Sequence, residues 1–295
     1  MTFQTRYSFQ DQQETGTLYL VATPIGNLDD MTYRAVEILK SVEVVAAEDT
    51  RQSRKLLTHF GIEGVRLISY HEHNKHSKEE AILSLLREGQ SVALVTDAGT
   101  PGISDPGADI VRAAVEERLT VVPIPGCVAG VTALIASGLP TDRFTFIGFL
   151  PREKKKRVEE LTQLRARMET LIFYEAPHRL EETLKAMLDV LGDREIVLAK
   201  ELTKRYEQFS RGKISEVIFW LSENEPRGEY VLVLEGLAKE LANEFVEKPY
   251  WEELNLSEHV EKLVESGLSK KDAVKQVAKE RGLQKREVYN EVMVD

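Results

Sequence analysis

Short apolar runs alternate with stretches of helical spacing along most of this chain, and that alternation constrains its fold more than any other feature. Thr17–Ala22 is an apolar run closed by turn residues at Thr23–Asn27, after which Met31–Lys40 has helical spacing. Val42–Ala47, Leu67–Ser69, Ser91–Thr96 and Leu119–Pro123 read as further buried strands. Ser53–Phe60, Lys78–Arg87, Pro106–Glu117 and Cys127–Ser137 read as the intervening helices, with Pro106 in the first turn of its helix. Such alternation implies right-handed crossovers onto a mostly parallel sheet.

A second α/β unit, with a mixed sheet, is predicted beyond Gly148–Pro151. Its strands are Thr170–Tyr174, Ile196–Glu201, Tyr206–Ser210 and Tyr230–Glu235; its helices are Val158–Met168, Leu180–Leu191 and Glu216–Leu221. After Pro249 the pattern changes to three short helices, 257–266, 270–281 and 285–292, broken at Gly267-Leu268 and Gly282-Leu283. Their spacing resembles a helix-turn-helix; the alternative is an appendage that packs on its own chain or on a second copy. The expected organisation is a mobile lead-in (1–15), an N-terminal α/β domain with the ligand loops (16–149), a C-terminal α/β domain (150–240) and a helical appendage (250–295).

Composition narrows the class. Hydrophobic residues are 42% and charged residues 30% of 295, which is globular usage. The single cysteine, Cys127, rules out an internal disulfide framework and a multi-cysteine zinc site, and suits a reducing cytoplasm. No apolar stretch reaches the ~18 residues a membrane helix needs. Met1–Thr15 is polar, with four glutamines, and does not read as a secretory signal. The net charge of −10 speaks against a non-specific nucleic-acid coat but leaves room for local basic patches. One such patch stands out: Arg152, Lys154, Lys155, Lys156 and Arg157. It could track a phosphate backbone or be the solvated start of a helix, although cations in a first turn oppose the helix dipole.

Three loops, Thr23–Asn27, Asp97–Gly107 and Pro125–Gly130, follow strands of the first domain. In an open parallel sheet such loops line the ligand crevice, and two of them are rich in glycine and proline. No G-x-G-x-x-G follows the first strand and no G-x-x-x-x-G-K-[ST] occurs, so dinucleotide and P-loop chemistry are unsupported. The loops predict an adenosine-like or sulfonium-bearing ligand held through backbone groups. Glu48-Asp49-Thr50-Arg51 ends the second strand. It suits hydroxyl binding or proton abstraction; alternatively Asp49 or Thr50 caps a helix and pairs with Arg51 or Arg54. His71-Glu72-His73-Asn74 lacks the spacing of a metal helix and is taken as a polar substrate loop. Phe173–Arg179 and Lys200–Lys204 close strands of the second domain and either face the crevice or cap their helices.

These segments together carry a specific resemblance. A-T-P-I-G-N-L (22–28), A-E-D-T-R (47–51), H-E-H-N (71–74), D-A-G-T-P-G-I-S-D-P-G (97–107) and P-G-C-V-A-G-V-T-A-L (125–134) occur in order. G-L-P-T-D-R-F (138–144), G-F-L-P (148–151), F-Y-E-A-P-H-R (173–179), K-E-L-T-K (200–204) and G-E-Y-V-L-V-L-E-G (228–236) follow. Over about 15–240 the chain resembles the ribosomal RNA small subunit methyltransferase I family of the tetrapyrrole (corrin/porphyrin) methylase superfamily. The resemblance implies two α/β domains of that type with S-adenosylmethionine in the cleft between them, and a homodimer. It also implies 2′-O-methylation of a cytidine ribose in the decoding region of 16S rRNA, as free rRNA or in the small ribosomal subunit, without a metal. The tail resembles a helix-turn-helix extension of some members. Cofactor positions carry over to Pro24, Ile25, Gly99, Thr100, Ile103, Val128, Ala129, Tyr174, Leu202 and Glu229.

A ribose 2′-hydroxyl is a poor nucleophile and must lose its proton as the new bond forms. Glu48, Asp49, Lys200 and Glu201 are the candidate bases, and Arg51 the candidate for aligning the substrate or its phosphate. Two other readings stay open: C-methylation of a tetrapyrrole, and a non-catalytic ribosome-binding factor on the same fold.

Overall fold

Strands with no polar residue cannot sit at a surface, and Val44–Ala47 and Val92–Val95 are buried along their whole length. In the computed structural model, which describes residues 5, 14–242, 250–251 and 254–292, they lie inside a parallel sheet. Its strands are β1 (Thr17–Val21), β2 (Val44–Ala47), β3 (Arg66–Ser69), β4 (Val92–Val95) and β5 (Thr120–Ile124), in the order β3-β2-β4-β1-β5. Alternate residues of each strand feed opposite faces. Val45, Ala47 and Val95 pack with α1 (Tyr33–Ser41) and α2 (Thr50–His59); Val44, Ala46 and Leu94 pack with α3 (Lys75–Arg87) and α4 (Ala108–Glu116).

Several helix starts differ from expectation, two of them for a plain local reason. α2 begins at Thr50, three residues early, because Asp49 caps it. α4 begins at Ala108 behind an N-cap at Gly107, so Pro106 lies before the helix and not in its first turn. A Cβ at Gly107 would lie 3.0 Å from the Gly102 nitrogen, which is why the loop closes on glycine there.

The next helix, α5 (Ala129–Ser137), leaves the first sheet. Ala133 and Leu134 pack against Ile172, Val197 and Val233 of a second sheet. That sheet contains β6 (Phe144–Phe149), β7 (Thr170–Glu175), β8 (Glu195–Lys200), β9 (Gln208–Lys213) and β10 (Tyr230–Leu234), in the order β6-β7-β10-β8-β9. β6 and β7 are parallel and the other pairings antiparallel, a mixed sheet. Its other face is covered by α6 (Lys154–Leu164), α7 (Leu180–Leu191) and α8 (Ile214–Glu223). β6 has no counterpart among the expected strands. It pairs with β7, so by sheet membership the second lobe starts well before the expected division at 149–150. Arg211 of β9 donates to the Ser137 and Ala136 carbonyls at 3.0 and 2.6 Å, satisfying the last turn of α5.

Residues 238–295 form a separate unit. It comprises α9 (Lys239–Ala242), α10 (Leu256–Glu265), α11 (Lys270–Arg281) and α12 (Lys285–Val292). The last three share a core of Val260, Val274, Val277 and Val288. Asn255 and Glu258 cap α10 reciprocally, Ser269 caps α11, and Gly282 ends it at φ 65°. The expected lead-in, apart from residues 5, 14 and 15, lies outside the described residues. No described helix is long and apolar enough to cross a membrane.

Candidate active site

The strands of the first sheet all end on one side, and backbone exchanges join their loops. Thr23 and Gly99 trade N–H···O bonds at 2.8 and 3.0 Å, and the Thr23 hydroxyl donates to the Thr96 carbonyl at 3.1 Å. The Thr100 hydroxyl donates to the Cys127 carbonyl at 2.9 Å. Thus the loops after β1, β4 and β5 form one rim. The second lobe reaches that rim at two points. The Tyr174 hydroxyl accepts from the Gly130 N–H at 3.0 Å, and the Asn27 N–H donates to the Thr203 hydroxyl at 3.1 Å. Gly26 is needed at the second point, because a Cβ there would lie 2.4 Å from Lys204 Cγ. Glu201 and Thr203, in the loop after β8, are held at φ 51° and 63°, a conformation that costs free energy outside glycine.

Between rim and second lobe lies a cavity of about 450 Å³. Of the ten expected cofactor positions, the first lobe contributes Ile25, Gly99, Thr100, Ile103, Val128 and Ala129 to its wall, and the second lobe Tyr174, Leu202 and Glu229. Pro24 lies instead in an adjoining cavity of about 510 Å³, which shares Ile25, Asp97 and Glu229 with the first and extends along α2 past Ser53 and Lys55.

The expected catalytic residues are dispersed. Glu48 lines the first cavity and accepts from the Thr96 hydroxyl at 2.9 Å. Asp49 and Arg51 line neither cavity. Asp49 caps α2 through the Arg51 N–H and takes the Arg51 guanidinium on both oxygens, at 3.1 and 2.7 Å. That pairing holds Asp49 down at about 2, too weak a base to accept a hydroxyl proton near neutrality. Lys200 ends β8 opposite Tyr230, outside both cavities. Glu201 also lies outside them and accepts from Lys204 Nζ at 3.1 Å and from the Glu229 N–H at 2.9 Å. Burial would raise it, but those donors outweigh burial and hold it below the usual range.

Among the wall residues that the sequence reading missed, three stand out. Phe149, 54% exposed, meets the Tyr174 ring edge-on. Asp97 is raised, chiefly by burial. Asp105 is pushed up to about 6, by burial first and then by the Glu48 charge. The signal was present, since both aspartates stand in the Gly/Pro-rich loop, but their approach to Glu48 of another loop leaves no mark in spacing.

The basic run divides. Lys154, Lys155 and Lys156 form the exposed first turn of α6, and Lys156 pairs with Glu153 at 2.8 Å. Arg152 is exposed beside them. Arg157 is not available to RNA. It is 1% exposed, with its guanidinium on the Pro151 and Arg152 carbonyls and on Glu182. Helical spacing explains the inversion, since Arg157, Leu161 and Leu164 form one buried stripe.

The His71–Asn74 loop is cross-tied through Asn74 and lies outside both cavities. Among the described residues no group of three His, Cys, Asp or Glu side chains is placed to hold a metal. Glu175, also on the cavity wall, is buried against Thr183 and the Ala176 N–H.

The family model for Tetrapyrrole (Corrin/Porphyrin) Methylases matches residues 17–218. The chain belongs to the tetrapyrrole methylase family. This tetrapyrrole methylase is 53% identical over 283 residues to a Bacillus subtilis protein named Ribosomal RNA small subunit methyltransferase I, covering 96% of each chain. A protein of the same name from Halalkalibacterium halodurans is 51% identical, with 97% of this chain and 98% of the relative covered. Among solved structures, a cobalt precorrin-4 methyltransferase of cobalamin biosynthesis matches with a TM-score of 0.57 at 19% identity, over 74% of this chain and 94% of that one. A uroporphyrin-III-C-methyltransferase from Thermus thermophilus matches with 0.52 at 21% identity, over 79% and 100%. At those identities the structural likeness is one of fold.

Proposed function

We propose that this methylase transfers the methyl group of S-adenosylmethionine to the ribose 2′-hydroxyl of a cytidine in the decoding region of 16S rRNA, in the cytoplasm. The observation that carries the reading is the 43–53% identity, over nearly full length, to relatives named for small-subunit ribosomal RNA methylation.

The cavity fits the cofactor on its own terms. Its volume is ordinary for a small-ligand site. Gly99, at φ 85°, keeps the wall open where a Cβ would lie 3.4 Å from Ile25. Glu48 and Asp97 supply negative charge that complements a sulfonium. The bound cofactor would supply an electrophilic methyl group. The chain's own residues would hold it, exclude water, align the hydroxyl and take its proton. Lys154, Lys155 and Arg152 would hold rRNA phosphates, and a second copy of the chain would complete the working dimer.

Ribose-methylation mapping of 16S rRNA from a strain lacking this gene tests the reading. One unmodified decoding-region cytidine, restored by the gene, is expected; an unchanged map defeats it. Two purified-protein assays separate the alternatives. Methyl transfer to a porphyrinoid but not to ribosomal subunits would favour tetrapyrrole chemistry. A non-catalytic factor would lack the ~1.4 kcal/mol of stabilisation expected at a tenfold excess of cofactor over Kd.

A further inference from the structure

We propose that Asp105 receives the acceptor hydroxyl's proton, and that Thr96 and Glu48 form the relay behind it; this rests on the methyl-transfer reading above.

The geometry starts at Thr96, 3% exposed at the end of β4. Its hydroxyl donates to Glu48 at 2.9 Å; Glu48, Thr96 and Asp105 share the cavity wall, and Thr96 as a donor draws Asp105 down. A hydroxyl has one hydrogen and two lone pairs. That hydrogen lies on Glu48 here and can turn instead to ionised Asp105, which is the bond that draws Asp105 down. Once Asp105 takes a proton, the Thr96 hydrogen is left to Glu48 alone.

Other carboxylates of the cavity wall are committed elsewhere. Asp97 accepts from the Asp49 N–H at 3.0 Å. Glu175 is buried in bonds to Thr183 and Ala176. Glu229 pairs with Lys204 at 2.8 Å. The groups that bear on Asp105 are Glu48 at the end of β2, Asp97 after β4, and the Tyr174 hydroxyl of β7. Arg51, which reaches Asp97, is held by Asp49. Burial and the two acidic neighbours place Asp105 near 6, where a carboxylate is a stronger base than usual yet still ionised at neutrality.

The step balances. The hydroxyl oxygen bonds the methyl carbon as the methyl–sulfur bond breaks with its electron pair left on sulfur. The hydroxyl hydrogen passes as a proton to Asp105. The positive charge lost at sulfur matches the negative charge lost at Asp105.

The test compares wild type, Asp105→Asn and Thr96→Val in the full chain. Single-turnover methylation of small ribosomal subunits is followed across pH 5–9, with calorimetric titration by S-adenosylmethionine. Carbonyl-labelled aspartate resonances of the cofactor-free protein are also titrated. Wild type should gain rate with pH through an apparent value near 6, matched by one aspartate resonance absent from Asp105→Asn. Asp105→Asn should lose ~10²–10⁴-fold in rate together with that pH limb, while cofactor Kd changes less than about threefold. Thr96→Val removes a bond that lowers Asp105, so its limb should move to higher pH. Asp105→Asn with wild-type rate and pH profile overturns the relay alone. Loss of cofactor binding in that variant also overturns it, by giving the carboxylate to the cofactor. Wild type that binds cofactor but methylates no ribosomal RNA overturns the functional reading itself.

Discussion

Lys154 and Arg157 stand three positions apart in one basic run, and one is in solvent while the other is 1% exposed. Charge counting treats them alike; folding does not. Arg157→Ala would strip charged donors from the Pro151 and Arg152 carbonyls and leave Glu182 without its partner. It should cost ~2–4 kcal/mol, read from the urea midpoint at constant m-value. Lys154→Ala should leave that midpoint unchanged, and equal midpoints for the two variants would contradict the division. The inward turn of Arg157 could have been read from its register with Leu161 and Leu164, had helical period been weighed above charge. The loops of the cavity rim were easier, because glycine and proline mark where backbone can approach closely. Thr100 tests them. Its hydroxyl ties two loops at the Cys127 carbonyl, on the cavity wall. Thr100→Arg should fill the cavity with a cation, so calorimetry with S-adenosylmethionine should register no binding while the unfolding transition is kept. Undiminished affinity in the folded variant would remove Thr100 from the site.

Among the elements, α6 and α10 carry charge arrangements that helix physics alone does not favour. Three lysines occupy the first turn of α6, where the dipole prefers anions. If that turn holds rRNA phosphates, Lys154→Gln with Lys155→Gln should lower the slope of log affinity against log salt by up to ~0.7–0.9 for each phosphate no longer neutralised. Cofactor affinity and folding stability should not fall. An unchanged slope would make the turn a solvated helix start. In α10, His259 is 0% exposed and stacks on Trp251 at 5.6 Å. Arg281 donates to its Nδ1 at 3.3 Å, while Tyr250 and Glu280 stand 3.0 Å from Nε2. Burial holds His259 below the ordinary 6.5, with Arg281 and Lys262 acting the same way and Glu280 opposing. The unfolded chain therefore binds this proton more readily than the folded one. The stability it governs is complete above about pH 6.5 and is lost as pH falls below that value. Hydrogen exchange of α10 and α11, corrected for intrinsic rates, should show less protection at pH 5.5 than at pH 7.5. Equal protection, or a His259 resonance titrating above 6.5, would contradict the sign.

For the molecule as a whole, the repeating strand–helix pattern was enough to foresee two α/β lobes and a helical tail, but sheet membership was not local information. α5 follows β5 as every other helix follows its strand, yet it packs on the second sheet. Phe144–Phe149 is an edge strand with a register shift at Gly148, where φ is 75°, and its half-exposed aromatics hide the usual alternation. The carboxylates of the cavity wall were hidden for the same reason, since Glu48 and Asp105 come together only through pairing of β2 with β4. The tail was simpler, because its caps and Gly-Leu breaks are local. It has its own core and its own capping, and Lys270, Lys271, Lys275, Lys279, Lys285 and Arg286 fall on α11 and α12. A unit that closes its own core can be removed without opening another. We therefore expect a chain ending at Leu237 to keep the thermal transition of the α/β lobes and its affinity for S-adenosylmethionine. If the tail's cations hold rRNA equally in ground and transition states, the truncated enzyme should show a raised KM for ribosomal subunits with kcat within a few-fold of the full chain. A normal KM would reduce the tail to a bystander in methylation. A normal KM with a collapsed kcat would give it a part in the chemistry itself, against the division of labour drawn from its separate core.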